Sequence, residues 1–415
     1  MRRKIAIVGA GAAGMMCMAT LVQSTKDFEI HVFDKNPKFG VKVALTGGGR
    51  CNLTTYIDDM PTLLSKYMRG ARFIKPAMLA FPPQAVRAWF VAQQLSLKVE
   101  AGDRVFPVSD RGQDVVAVFE KLADNPLVKL HLSEAVKSVI KRGDGFTLNS
   151  AKGTYDFDIV VITTGGNAYQ GTGSNGDGYA LAKSLGHSVT QLGPSLNSFI
   201  CAEEWCGQLA GTSLTNAKIS YVNQDERTLF VAGPLLFTHQ GISGPAVFSL
   251  ASAMAFEQIT EETPVMVKLI PDSNANFAAI DQEIVTTIAS DATKPLEKIL
   301  MKYMPRRLAE IVIGLAGVIN TKPSELTKLQ RKELIHYIVD GIELSLIART
   351  SGFEFVTAGG VNEKEINSKT MESRITNNLY FAGEILNVDG LTGGFNLQAA
   401  WATGHCVAKN IIDKK

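Results

Sequence analysis

From Lys4 the chain alternates apolar runs with a glycine turn: K-I-A-I-V, then G-A-G-A-A-G, then M-M-C-M-A-T-L-V-Q, then E-I-H-V-F ending at Asp34. A β-branched run, a turn, an apolar helical pattern and a second β run predict the βαβ unit that binds a dinucleotide. Gly9 is expected to make the tight turn, Gly11 to admit a pyrophosphate and Gly14 to seat the helix on the strand, with Ala10, Ala12 and Ala13 completing the phosphate-facing turn. The helix that starts there points free N–H groups and the positive end of its dipole at the phosphates. Asp34 follows Gly14 by 34 − 14 = 20 residues, where a carboxylate accepts hydrogen bonds from an adenosine ribose.

Further along, Gln84 to Leu95 and Val115 to Ala123 read as helices, and V-K-L-H-L followed by S-E-A-V-K-S-V-I reads as two strands. D-I-V-V-I-T, from Asp158 to Thr163, has the pattern of a buried strand. It runs into a loop where Gly171, Gly173 and Gly176 repeat the G-x-G-x-x-G spacing. Because a loop separates that strand from these glycines and no second βαβ with a terminal acid follows, no separate nicotinamide domain is predicted. From Gly193, short alternating runs (197–201, 217–222, 227–231, 265–270) predict a small antiparallel β domain. Residues 277–340 read as helices broken by Pro295, Pro305 and Pro323. The chain then returns through F-E-F-V-T-A-G-G and N-L-Y-F-A-G-E to Gly393-Gly394 and a helix reaching Ile412.

Composition narrows the class. A 46% hydrophobic, 20% charged chain of 415 residues can build two or three packed units, and a net charge of +2 neither demands nor excludes a polyanionic partner. The helical stretch carries nine Lys and Arg against eight Asp and Glu, so its charge does not mark an RNA-binding module. Five scattered cysteines (17, 51, 201, 206, 406), without a C-x-x-C pair, fit a reducing cytoplasm, and no metal site is expected. Residues 228–256 lack any Asp, Glu, Lys or Arg, yet glycines and prolines interrupt them, so a buried loop is expected rather than a membrane span. The apolar run after Met1 to Lys4 contains the glycine turn and is read as fold, not as a signal peptide.

After Asp34 comes a loop ending T-G-G-G-R-C-N: Gly47 to Gly49 can lie flat against a ligand, with Arg50 and Asn52 adding a cation and an amide; the plainer alternative is a flexible surface loop. This loop resembles the S-G-G-G-R-C-N segment of the YhiN/BaiN-like flavoproteins, a family that includes aminoacetone oxidase-like enzymes, with Thr46 in place of Ser. R-V-F-P-V-S (104–109), the T-G-G…T-G-S-N-G-D-G-Y loop, L-F-T-H-Q-G-I-S-G-P (236–245) and the Gly383-Glu384…Gly393-Gly394 segment resemble it too. Where the family usually has Asp, this chain has Asn387.

The resemblance implies an α/β protein: a discontinuous Rossmann-like FAD-binding domain (1–192 and 352–415) with an inserted small β-barrel-like domain (193–274 and 341–351) and a small helical domain (275–340). It implies FAD contacts from the first glycine turn, Asp34, Lys35, Lys42, Gly48, Gly49, Arg50, Cys51 and Asn52. Val136 is expected at the adenine, with Thr164 and Gly165 nearby. Gly383 and Glu384 are expected at the ribityl chain, and Gly393, Gly394, Phe395, Asn396 and Leu397 at the flavin N1 and O2 edge. The activity implied is that of an FAD-dependent oxidoreductase that reduces an activated C=C bond or oxidises a small amine, with NAD(P)H as a possible transient donor. Cys51, Thr238 and His239 are the candidate proton donors, although a lone histidine is more often structural. The alternative is reduction of a uracil C5–C6 bond in ribosomal RNA. Cations Lys66, Arg69, Arg72 and Lys75 would meet phosphate, or else form a solvated helix face. A non-enzymatic electron carrier is a third reading. Partners are thus a small molecule or rRNA, without stable membrane association.

Overall fold

The computed structural model describes residues 2–24, 27–223, 226–291, 293–352 and 355–414, so Phe353 and Glu354 of the F-E-F-V-T-A-G-G run lie outside the described residues. The chain divides into two compact units, Met1–Ser195 with Glu354–Lys415, and Leu196–Phe353.

The first unit is built on a five-stranded sheet. Its order is Leu379–Phe381, Ile159–Ile162, β1 (Arg3–Val8), β2 (Phe28–Phe33) and Val128–His131. Every neighbouring pair is parallel, with Ile7 of β1 in register with Val161 on one side and Val32 on the other. Parallel strands are covered on both faces, which is why β1 and Ile159–Ile162 read as unbroken apolar runs. One face is covered by α1 (Ala12–Val22) and the C-terminal helix Phe395–Asp413. Their contact is close: a Cβ on Gly404 would lie 2.3 Å from the carbonyl oxygen of Ala13. Nine consecutive residues of α1, Ala13 to Leu21, are buried, and its sequence is accordingly apolar all round. A three-stranded antiparallel sheet (Val136–Arg142, Gly145–Ser150, Thr154–Phe157) sends Tyr155 and Phe157 against His31 and Phe33 of β2.

The second unit contains a closed six-stranded barrel in the order Phe199–Cys201, Gly241–Ser243, Thr228–Phe237, Ser213–Val222, Val265–Ile270 and Ile342–Arg349. Its helices Phe277–Ser290, Leu296–Leu300, Arg306–Leu315 and Lys328–Val339 share one apolar core with the barrel. The prolines act as punctuation: Pro295 and Pro305 each cap the helix that follows, and Pro323 opens a 3-10 turn. The uncharged stretch 228–256 is not the expected loop. It forms two barrel strands and the helix Pro245–Ala253, because its glycines and prolines fall at the ends of those elements, apart from Pro234 at an exposed strand position and Gly233, half-buried opposite Ala217. No helix among the described residues is long and apolar enough to cross a membrane.

Candidate functional site

At the carboxyl end of the parallel sheet the first unit opens a cleft of about 1370 Å³, counted out to its mouth, and the glycine turn forms its floor. The geometry of that turn assigns each glycine. Gly9 has φ +111°, and a Cβ there would lie 2.5 Å from the carbonyl oxygen of Thr163, so no L side chain fits. A Cβ on Gly14 would lie 2.0 Å from the Gly9 oxygen, which fixes how closely α1 sits on β1. Gly11 differs: its backbone is ordinary (φ −80°, ψ −170°), and a Cβ would meet no protein atom within 4 Å. The space above Gly11 belongs to the cleft, at the N-terminus of α1 where free N–H groups favour an anion.

Ala10, Ala12 and Ala13 line the same wall. Asp34 closes it: Oδ2 accepts from Ala10 N (2.7 Å) and Oδ1 from Asn36 N (2.8 Å). Burial raises this carboxyl above the usual range, against the pull of the two amides, and each oxygen keeps a lone pair for a ligand hydroxyl. Val136, Thr164 and Gly165 line the cleft as well, and the Thr164 hydroxyl oxygen is buried without a protein partner. Lys42 donates to Glu384 Oε2 (2.8 Å) and to the Ala168 carbonyl (3.2 Å), while Glu384 Oε1 accepts from Thr357 N (2.9 Å). Lys35 is held by Asn175 and Asp177, both at 2.6 Å. Gly383, Asn396 and Leu397 also face the cleft. Gly393, Gly394 and Phe395 lie behind this wall: Gly394 caps the C-terminal helix, and the Phe395 carbonyl accepts from Tyr67 OH (2.7 Å).

The T-G-G-G-R-C-N loop meets the cleft at its first residue. Among its residues Thr46 lines the cleft, whereas Gly48, Gly49, Arg50, Cys51 and Asn52 do not. Arg50 is not a free cation beside a ligand; it pairs with Glu100 and Asp110 and lies 4.2 Å over the Phe106 ring. The neighbouring Cys51 thiol is fully buried, and burial pushes it up to about 12, opposed by a hydrogen bond with Thr46. Asn52, oriented by its partners, bridges Thr54 O (3.1 Å) and Gly394 N (3.1 Å), tying the loop to the start of the C-terminal helix.

Asp389 is fully buried, takes both guanidinium nitrogens of Arg69 at 2.5 and 2.8 Å, and accepts from Ser195 Oγ (2.9 Å). Arg69 therefore belongs to an internal ion pair, while Arg72 and Lys75 remain exposed. Asn387 donates to Glu363 (2.8 Å), and its side-chain oxygen is buried without a partner.

Thr238 and His239 belong to the second unit. Thr238 closes the turn between two barrel strands, accepting from Gly241 N at 3.1 Å, and His239 is exposed at the tip. Sequence spacing did not flag Cys201, Glu203 and Cys206, whose ligand-type atoms lie within 4.8 Å of one another. Both Glu203 oxygens already accept from Ser345 N, and a hydrogen bond with Cys206, then burial, raises the Cys201 thiol. These contacts describe a thiol pair built into the barrel wall.

Two further parts of the cleft escaped sequence reading. Gly173 and Ser174, from the second glycine motif, form a wall against Asn36. Thr403, on the inner face of the C-terminal helix, accepts from Gly383 N (3.0 Å) and donates to Ala399 O (2.6 Å). A single threonine in a helical pattern gives no signal, whereas the repeated glycine spacing marks its loop in the sequence.

The cleft suits FAD on the chain's own terms: open space over a helix N-terminus for the pyrophosphate and a carboxylate with spare lone pairs for a ribose. The comparisons agree. Residues 3–410 match the family described as HI0933-like protein Rossmann domain. The chain is 28% identical to a 3-dehydro-bile acid delta(4,6)-reductase of Clostridium scindens, covering 99% of each chain. It is 30% identical to a ribosomal RNA dihydrouridine synthase of Escherichia coli, covering 99% of this chain and 98% of that one. A 3-ketosteroid delta1-dehydrogenase of Sterolibacterium denitrificans shares the fold, with a TM-score of 0.54 over 99% of each chain at 12% identity. The chain belongs to the HI0933-like Rossmann-domain family and is an FAD-dependent oxidoreductase.

Proposed function

We propose that the protein reduces a carbon–carbon double bond conjugated to a carbonyl, with FAD lying in the cleft of the first unit, its adenosine toward Asp34 and Val136 and its flavin toward Glu384 and Leu397. The observation that carries the placement is Gly11: ordinary backbone, no protein atom near its missing side chain, and the start of α1 beneath. The reaction class rests on two relatives matched along nearly their whole length, one named for reducing a bile acid and one for making dihydrouridine, which is uridine with its conjugated C5–C6 bond saturated.

When bound, FAD supplies two-electron hydride chemistry. The chain's residues do the rest. The N-termini of α1 and the C-terminal helix would favour negative charge, on phosphate for the first and on a reduced flavin for the second. The Lys42–Glu384 pair holds two polar atoms at fixed positions on the wall, so a hydroxylated chain meets an ordered acceptor and donor. Saturating the double bond also requires a proton. A sealed thiol pushed up to about 12 is a poor source and a threonine hydroxyl a poorer one, so of the sequence candidates His239 is the one to test by substitution.

The test is anaerobic. Protein reduced with dithionite is mixed separately with a 3-oxo-4,6-diene steroid, with uridine-containing rRNA fragments and with buffer, while oxidised protein is mixed with small primary amines. Return of flavin absorbance with the steroid or the RNA supports the reading and identifies the substrate class. Bleaching by an amine, with no recolouring by either conjugated substrate, overturns it in favour of an amine oxidase.

A further inference from the structure

At the adenosine side of the cleft, four side chains form one continuous hydrogen-bond chain: Glu29, His31, His131 and Glu134. His31 Nε2 meets Glu29 Oε1 at 2.9 Å, His31 Nδ1 meets His131 Nε2 at 2.9 Å, and His131 Nδ1 meets Glu134 Oε2 at 3.1 Å. Packing fixes the rings. His131 stacks on Phe33 with centroids 4.2 Å apart, Phe157 meets His31 edge-on at 5.0 Å, and Tyr155 meets His131 edge-on at 5.1 Å.

The proton count follows from the contacts. Glu29 is held down at about 2 by hydrogen bonds from Lys129 and then His31. Glu134, although buried, is held below its usual range by Ser150, Tyr155 and His131. Both are carboxylates and can only accept, so His31 Nε2 and His131 Nδ1 both carry protons. The central nitrogen–nitrogen contact needs one more proton, on one side only. The two rings therefore hold three protons, one neutral imidazole and one imidazolium. The extra proton lies in the contact between His31 Nδ1 and His131 Nε2, shared by the two rings.

This pair is joined to the cleft. Asp34 N donates to His131 O (3.0 Å), Ser133 N to Asn36 O (2.9 Å) and Glu134 N to Asp34 O (2.8 Å). Glu134, Ala135 and Val136 line the cleft beside Asp34. We propose that His131 is a positioning residue for the adenosine half of FAD: the single extra proton it shares with His31 clamps Glu134, and through it the 133–136 segment, against the end of β2. A second extra proton would set N–H against N–H, and loss of the shared one would leave one contact empty. Either change breaks the contact between the two rings, so His131, and Glu134 with it, loses its tie to β2. The proposal rests on the FAD placement given above. The groups that set the charge are Glu29 with Lys4 and Lys129 on one side, and Glu134 with Tyr155 on the other. Asp34, raised by burial, titrates in the same cleft and is common to every variant below.

Two readouts test it. Proton–nitrogen NMR of histidine-labelled flavin-free protein, with the pair assigned through His31→Phe, is expected to show three ring N–H protons for the two residues near neutral pH; two or four would overturn the shared proton. Affinity for FAD, and for adenosine diphosphate as a probe of that half alone, is then measured from about pH 5 to about pH 9 in wild type and His131→Phe, which keeps the stack on Phe33. Wild type is expected to weaken toward both extremes, and His131→Phe to bind about tenfold more weakly, the loss of roughly one charge-assisted hydrogen bond, with a flatter profile. Identical affinity and profile in the two proteins would overturn the positioning role. Should His131→Phe fail to fold, Glu134→Gln removes the charge that holds the proton and is expected to flatten the profile likewise; an unchanged profile there overturns the role. If adenosine diphosphate fails to compete with FAD while three protons are seen, the FAD placement has failed and not the proton count.

Discussion

Gly11 and Gly14, three residues apart in one motif, are predicted to fail in different ways when each becomes alanine. For Gly14→Ala the new methyl lies 2.0 Å from the Gly9 oxygen and 2.7 Å from Thr163 Oγ1, which itself donates to Gly9 O at 2.8 Å. None of these atoms is the free end of a long side chain, so α1 must lift from β1. Overpacking of this kind costs about 1–3 kcal/mol, which in a unit of this size lowers the melting temperature by about 2–4 °C per kcal/mol. Gly11→Ala meets no protein atom and keeps an allowed backbone. Reduced freedom of the unfolded chain gains about 0.4–1 kcal/mol, while alanine is a poorer N-cap than glycine by a similar amount. The flavin-free protein should therefore keep its melting temperature. Its methyl would, however, stand where the pyrophosphate approaches, and the same overpacking range corresponds to about 5- to 150-fold weaker FAD binding. The assay is far-UV circular dichroism melting of flavin-free protein together with quenching of FAD fluorescence on titration. Gly14→Ala should lose both stability and affinity, and Gly11→Ala affinity alone. A Gly11→Ala protein that binds FAD as wild type does would refute the reading of the cleft.

Three other outcomes follow from the same structure. Asp389→Asn removes a fully buried carboxylate that takes two charge-assisted hydrogen bonds from Arg69, and should destabilise the protein by about 1.5–3 kcal/mol in denaturant unfolding. Cys51→Ala should retain turnover with whichever conjugated substrate recolours the reduced protein, since the thiol is sealed and does not line the cleft; loss of turnover with unchanged flavin content would return it to the mechanism. Glu29 titrates at about 2 in the folded protein against an ordinary 4.5, so its contribution is fully present above 4.5 and lost as pH falls through about 2. Glu29→Gln should accordingly be less stable than wild type at neutral pH, with the gap closing through that window in acid unfolding.

Much of the fold was legible because its signals are local and periodic. The βαβ unit, the barrel strands and the C-terminal helix each announce themselves through spacing, β-branched runs or glycines at fixed offsets. The site was legible where backbone geometry decides it, at Gly9, Gly11, Gly14 and Asp34. It was not legible where a side chain's partner is distant in sequence. Arg50 looked like a ligand cation because nothing near it in the chain reveals Glu100 and Asp110, and Arg69 looked like part of a basic cluster because Asp389 lies 320 residues away. The loop of Gly173 and Ser174 was legible as not starting a nucleotide domain of its own, but glycine spacing does not show which residues wall the first one. The helices after Phe277 carry their own start and stop signals, yet pack on the barrel's core, because a periodic pattern shows that a face is apolar and not what it packs against.

In the proposed reaction this flavoprotein passes two electrons to a conjugated double bond. The direct measurement is an anaerobic single turnover of dithionite-reduced protein with a conjugated enone or uridine-containing RNA, following flavin absorbance and product mass together. The account predicts one double bond saturated, a gain of two hydrogens, for each FAD reoxidised. Reduced protein that stays bleached with every conjugated substrate and recovers its colour only in air would contradict it.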